Sequence, residues 1–360
     1  MKEILQEQWN RYPGMQPEDV VKLLYQSEFG GGHMIFDPQK SLERLVEEWR
    51  GRAGSQAGAG GRNWERIGGG MCRMHLSVLD QGLSPKTLNQ MFVQSAKEKV
   101  GEQASFERKL ALLCQLCRNG GLPLDADVLE DYLDGYRRQG YPAVSHSHEY
   151  RRRYHPAYRV VSQRFTRYYE VFLQIDRVLE SSGQKQVVVA VDGMCGSGKT
   201  TLGAILQEIY DCNLFHMDDF FLQPGQRTRE RLEEPGGNVD YERFRAQVLE
   251  HLKDPEGCRY QVYDCSARRL DRKVQTGYRR LNIVEGAYSQ HPYFGDIYDL
   301  RFFCGITEEE QATRILARNG EEMLRRFRAE WIPMENKYFA AFGVREKSLY
   351  VEGGTPQNQE

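Results

Sequence analysis

Eight consecutive residues, Gly193-Met194-Cys195-Gly196-Ser197-Gly198-Lys199-Thr200, match the spacing G-x-x-x-x-G-K-[ST]. Glycines at those positions let the backbone curl until successive N–H groups converge on one anion. A helix that starts at the lysine adds its N-terminal dipole. Lys199 would place a point charge against the β- and γ-phosphates, and the Thr200 hydroxyl would ligate Mg²⁺. The pattern therefore predicts nucleotide binding by Gly193, Gly196, Ser197, Gly198, Lys199, Thr200 and Thr201, with ATP and Mg²⁺ as cofactors. Met194 and Cys195 read as spacers, and a reactive thiol at Cys195 is the second reading.

A phosphate-binding loop does not say which reaction follows, so the residues beyond it matter. His216-Met-Asp-Asp-Phe-Phe221 sets two carboxylates at the end of a candidate strand, and Glu285-Gly286 sets another after the apolar run 282–284. Phosphoryl transfer to a hydroxyl needs one carboxylate to take the proton and others to fix the metal. Asp218 and Glu285 are the natural pair, and Asp219 reads as a helix-start or solvated acid. Residues 311–331 then carry Arg314, Arg318, Arg325, Arg326 and Arg328 at helical spacing, with a break at Asn319-Gly320. They could form a flap that closes over phosphates, or a solvated face paired with Glu308–Glu310, Glu321 and Glu322.

The elements that must hold these residues divide the chain near residue 183. Residues 186–193 form a short Val-rich run, as in a strand buried on both faces of a parallel sheet. Further strands are expected at 213–217, 282–285 and 300–304, alternating with helices at 200–210, 241–252 and 308–319. That alternation predicts an α/β fold, a parallel sheet flanked by helices, over 183–353. Before it, 1–182 reads as mainly helical. Asp37-Pro38 and Ser84-Pro85 look like N-caps with proline at the first helical position. Helical spacing continues at 103–118 and 125–139, and over Val161–Leu179. The Gly/Ala/Ser run 51–61 reads as a loop and 354–360 as a flexible tail.

In this order, the loop, D-D-F-F, E-P-G-G-N-V-D-Y-E-R-F (234–244), Q-V-Y-D (261–264), E-G and the Arg-rich segment resemble the uridine/cytidine kinase family. More broadly they resemble the small-molecule kinases that include phosphoribulokinase and pantothenate kinase. The resemblance covers residues 186–351, about half of the chain, and the N-terminal half is not recognised. It implies a P-loop NTPase-type sheet and an enzyme that phosphorylates a hydroxyl of a uridine- or cytidine-like nucleoside or related polar molecule. By the same resemblance Asp218 is the catalytic base, and Thr200, Asp218 and Glu285 surround the metal. Lys199, Arg314 and Arg318 would serve the transferring phosphate, Asp240 the acceptor's hydroxyls, and Tyr263 would flank the acceptor. Where these kinases place a base-reading histidine, this chain has Ala267-Arg268-Arg269. Arg268 could instead bind a carboxylate or phosphate of an anionic, non-nucleoside acceptor.

Composition sets the outer limits. The 360 residues carry 49 Lys+Arg against 51 Asp+Glu, which argues against a chain devoted to coating polyanions. No apolar run reaches bilayer length, and the start is no signal peptide, so a membrane partner is not expected and a cytoplasmic protein is. Eight cysteines are too sparse for a disulfide scaffold. Cys114 and Cys117 fall in an apolar helical pattern and read as core. Gly30-Gly31-Gly32-His33 reads as a turn leading to a capped helix. His146, His148 and His155 are candidate metal ligands without a supporting pattern. Between Arg137 and Arg167 lie eight arginines against one acid, Glu149, with aromatic residues interleaved. These could pair with the acidic kinase half, face solvent, hold an anionic effector, or bind nucleic acid in a nucleotide-gated regulatory protein. An oligomer is compatible with all of these readings.

Overall fold

The computed structural model describes residues 1–52 and 61–353. Most of the Gly/Ala/Ser run and the tail expected at 354–360 lie outside the described residues. By contacts the chain forms two compact units, Met1–Asp176 and a second that begins at Arg177. The division falls inside the helix Tyr169–Ser181.

The first unit is largely helical, as its spacing predicts. Asp37 accepts the Lys40 N–H at 2.8 Å and Pro38 opens the helix Pro38–Arg50. Ser84 accepts the Lys86 N–H at 3.2 Å and opens Pro85–Glu98 in the same way. The unit also holds an antiparallel sheet that the helical spacing conceals: β1 (Trp64–Gly68), β2 (Met71–His75) and β3 (Tyr158–Ser162), in that order. Val161 therefore belongs to a strand. The long helix expected through Val161–Leu179 is instead β3, a short helix Gln163–Arg167 and the helix Tyr169–Ser181. Apolar residues four apart satisfy either period over one turn, and pairing with β2 decides the matter.

Buried polar groups tie this unit together. Asp19 accepts from His146 Nδ1 (2.9 Å), Ser147 N–H (2.9 Å) and Ser147 Oγ (2.6 Å), and His146 Nε2 meets the Tyr158 hydroxyl at 2.7 Å. Arg73 is 1% exposed, donates to Gln26 and lies over the Tyr158 ring. His146 is thus part of a buried relay, while His148 and His155 are exposed. Among the described residues no three His, Cys, Asp or Glu side chains group to hold a metal. Cys117 is buried, and Cys114 packs partly buried against the same core. Burial pushes the pKa of His146 down to about 3. Between that value and about 6.5 the unfolded chain binds the proton that the folded chain refuses, so stability should fall as pH drops through that window. Denaturant melts at pH 7 and pH 4.5 should show this loss, and His146→Gln should reduce it.

Four of the eight arginines of 137–167 find acidic partners inside their own unit. Arg137 pairs with Glu107, Arg152 with Glu149, Arg159 with Glu48 and Arg164 with Glu98. These acids lie outside the run or at its one glutamate, so these four guanidiniums are neutralised within the unit.

The second unit is built on a parallel sheet. Its strands are β4 (Val187–Gly193), β5 (Cys212–His216), β8 (Leu281–Glu285), β9 (Leu300–Gly305) and β10 (Leu349–Glu352). Their spatial order is β10-β9-β4-β8-β5. Between β5 and β8 the chain forms the antiparallel hairpin of β6 (Arg259–Asp264) and β7 (Arg269–Gln275). Val189, Ala190 and Val191 at the centre are fully buried, which explains their apolar run. All neighbours in the five-stranded sheet are parallel, so the carboxyl ends of β4, β8 and β5 come to one edge. Ligands bind along that edge in open α/β sheets. Among the described residues no helix is long and apolar enough to cross a membrane.

Candidate active site

The loop after β4 has the backbone its glycines imply. Gly193, Gly196 and Gly198 have φ of 135°, 76° and 97°, and the helix Lys199–Ile209 begins directly behind them. At Gly193 a side chain would also collide with the neighbouring strand, since a Cβ would lie 2.2 Å from the Cys304 carbonyl oxygen. Gly193→Ala should therefore cost about 1–3 kcal/mol from backbone strain alone, with the clash added. The expected result is a lower melting temperature together with lost nucleotide binding, read by thermal melts with and without ATP.

Lys199 is 9% exposed and donates to the Gly193 carbonyl at 2.7 Å and the Met194 carbonyl at 2.9 Å. Burial works against its charge, but the carboxylates of Glu335, Asp192 and Glu285 outweigh it and raise its pKa. Two of these acids carry no mark in the local motif. Asp192 is fully buried and accepts from Gly193 N–H (2.7 Å), Tyr338 O–H (2.8 Å) and Gln290 N–H (3.1 Å). Glu335, in the helix Ile332–Phe342, accepts the Cys195 N–H at 2.9 Å. Burial pushes both carboxyls up. Gln311 donates to the Cys195 carbonyl at 2.9 Å, so the loop is braced from two helices. Burial also raises the Cys195 thiol, with Glu335 adding to the shift, which argues against the reactive-thiol reading. Ser197 is buried and its hydroxyl has no partner among the described residues. Thr200 and Thr201 face solvent at the helix start.

Beside the loop, Glu285 ends β8 and His216 ends β5, in register with one another. His216 Nδ1 meets Glu285 Oε1 at 2.5 Å, and that contact raises the histidine's pKa. Gly286 follows at φ 126°, where a Cβ would lie 2.9 Å from the Met217 Cβ, so the turn after Glu285 requires glycine. Asp218 follows β5 in the short helical turn Met217–Phe220 and has no hydrogen-bond partner among the described residues. Lost hydration raises its pKa first and the Glu285 carboxylate second, while Lys199 opposes both. Asp219 is tied differently, with its carbonyl taking the Arg243 guanidinium at 2.9 Å. Two carboxylates at one sheet edge, with a hydroxyl at Thr200, are hard oxygen donors of the kind that suits Mg²⁺. The remaining positions of such a site would fall to phosphate oxygens and water, consistent with the sparse protein ligands.

The other expected residues distribute unevenly. Arg314 donates to the Gly196 carbonyl at 3.0 Å and to Glu310 at 2.6 Å, which places it on the loop. Arg318 is exposed and donates to Asn319 at 2.8 Å, and its charge is felt at Cys195. The break between them and the later arginines is real, with Gly320 at φ 81° and ψ 173° inside Glu308–Arg326. Asp240 caps the helix Tyr241–Gln247 through the Arg243 N–H (3.0 Å) and accepts Gln226 Nε2 at 2.9 Å. Tyr263 is buried in β6. Arg268 lies exposed in the hairpin turn at φ 54°, with no hydrogen bond or ion pair among the described residues.

No family model matches the chain, and neither does any curated protein. Solved structures do. About half of this chain is similar to proteins described as kinases. One, from Bacillus stearothermophilus and described as a possible uridine kinase, is 20% identical, with a TM-score of 0.37. The match covers 51% of this chain and 100% of that one. Another, from Silicibacter sp. TM1040, carries a provisional description as a fructose transport system kinase. It is 19% identical over 49% of this chain and 94% of its own, with a TM-score of 0.38.

Proposed function

We propose that the protein is an ATP- and Mg²⁺-dependent kinase that transfers the γ-phosphoryl group to a hydroxyl of a small polar acceptor. A uridine- or cytidine-like nucleoside and an anionic metabolite are the two acceptor classes in view. The observation that carries this reading is the juxtaposition of Lys199 in the curled loop with Asp218 and Glu285 at the same sheet edge. In this reading the loop's N–H groups and Lys199 hold the nucleotide's phosphates. Asp218 accepts the acceptor hydroxyl's proton as the oxygen attacks, and Arg314 and Arg318 offset charge on the transferring group. Thr200, Asp218 and Glu285 would hold Mg²⁺, which supplies neutralisation of the phosphate oxygens when bound. His216 fixes the orientation of Glu285 through their 2.5 Å contact.

A coupled assay of ADP release against nucleosides, hydroxy acids and sugar phosphates tests this. Turnover that depends on acceptor and on Mg²⁺ is expected, and nucleotide hydrolysis indifferent to every acceptor would count against a kinase. The alternative of a nucleotide-gated nucleic-acid binder draws on the arginines of 137–167. The ion pairs of Arg137, Arg152, Arg159 and Arg164 within their own unit reduce its support.

A further inference from the structure

In the first unit a layer of polar side chains lies between the three-stranded sheet and the helix Pro17–Phe29. Glu65 stands opposite Arg73 across β1 and β2, and His75 stands opposite Tyr158 across β2 and β3, so these residues share one sheet face. Asp19, Lys22 and Gln26 recur three and four residues apart on one side of the helix. Gln26 joins the two layers. Its Oε1 accepts Arg73 Nε at 2.9 Å and its Nε2 donates to the Tyr158 hydroxyl at 3.3 Å. One turn earlier, Lys22 donates to the Val144 carbonyl at 2.7 Å, two residues before His146, which itself reaches Tyr158.

The acids of this layer do not match its cations. Asp19 is taken up by His146 and Ser147. Glu65 lies 2.8 Å from Arg11 and 3.1 Å from the Tyr12 hydroxyl, but 3.8 Å from Arg73. Arg73, 1% exposed, thus keeps one neutral hydrogen bond and one long ion pair, and its Nη2 has no partner among the described residues. A buried guanidinium left in that state is costly, and an acceptor oxygen on Nη2 would remove the cost. Lys22 spends one of its three donors on Val144. Burial, and then the Arg73 charge, lower its pKa to about 8 against the opposing pull of Asp19. Lys22 and Tyr158 are only partly buried, so this end of the layer reaches solvent.

We propose that the first unit carries a binding site of its own for a small oxyanion, the carboxylate or phosphate of a metabolite, held by Arg73 Nη2 and Lys22 Nζ. Both unmatched groups are cationic donors, so the ligand must bring acceptor oxygens and negative charge. The Tyr158 ring and Gln26 hold the guanidinium on two sides and fix the direction of Nη2. None of these residues belongs to the phosphate loop, and the proposal stands apart from the kinase reading.

The test uses the full chain with a non-hydrolysable ATP analogue and Mg²⁺ present, so that the loop 193–200 is filled. Inorganic phosphate and acetate are each titrated against chloride at matched ionic strength, with thermal melting as the readout. At least one of them should raise the melting temperature along a saturating curve, because a ligand of the folded state stabilises by mass action. A stronger response to phosphate assigns a phosphate-bearing ligand, and a stronger response to acetate a carboxylate. Lys22→Gln should raise the half-saturating concentration by about 10- to 100-fold, the worth of one charge-assisted hydrogen bond. Arg73→Gln should abolish the response. Arg152→Gln removes an exposed arginine and should leave it unchanged. If Arg73→Gln does not fold, Lys22→Gln, at a partly exposed position, decides alone. No response beyond chloride to either anion, the same response in Lys22→Gln as in the unaltered chain, or a response lost in Arg152→Gln overturns the proposal.

Discussion

Asp218→Asn should lower kcat by about 10²–10⁴-fold and leave nucleotide affinity within a few-fold, because an amide cannot accept the hydroxyl's proton. The side chain is well suited to this comparison. It is exposed and has no hydrogen-bond partner among the described residues, so the isosteric substitution breaks no hydrogen bond and the fold should hold. The pH profile adds a second readout. Lost hydration and the nearby Glu285 raise the carboxyl's pKa above the ordinary aspartate value of 3.8. The base works deprotonated, so the acid limb of kcat/KM should lie above that value, and activity should fall as pH drops through it. The limb should vanish from the residual activity of the Asn variant. Full activity in Asp218→Asn would remove this residue as the base.

Lys199→Ala is the second substitution with a large expected effect, and its consequences are of two kinds. Loss of the charge at the β- and γ-phosphates should cost about 10²–10³-fold in kcat and weaken nucleotide binding as well. The same change strips the counter-charge from Glu335 and Asp192, both buried, so the variant should also melt earlier. A double variant separates the two effects. Adding Glu335→Gln to Lys199→Ala should return part of the lost stability and none of the lost turnover. If the double variant recovered activity, the role assigned to the lysine charge would be wrong. Thermal melts and ADP release on the same preparations give both answers.

The sites read from consecutive residues are those whose chemistry is local. The loop 193–200 carries its glycines, its lysine and its hydroxyl within eight positions, and its backbone dihedrals follow from glycine's freedom at positive φ. Strands β4, β8 and β9 were legible because burial on both faces demands continuous apolar runs. β1, β2 and the hairpin β6–β7 were not, since their short runs mix arginine, aspartate and lysine with apolar residues. Their strand character comes from cross-strand hydrogen bonds rather than side-chain pattern. Likewise Asp240 is visible as an acid in a motif, but its burial as a helix cap held by Gln226 is not.

The sequence by itself determined that this protein has a loop for phosphates, a carboxylate after each of two strands, and arginines on a broken helix. Only the tertiary structure decided that Glu335, 140 residues from Cys195, closes on the loop beside Lys199. It also decided that His216 meets Glu285 across 69 residues, and that Arg243 and Arg314 are engaged by backbone carbonyls. The physical reason is range. Dihedral freedom, capping and periodicity act between neighbours, and so leave a mark in local spacing. Burial, strand register and charge coupling arise when distant segments meet in a low-dielectric interior, and no short stretch of residues records that meeting.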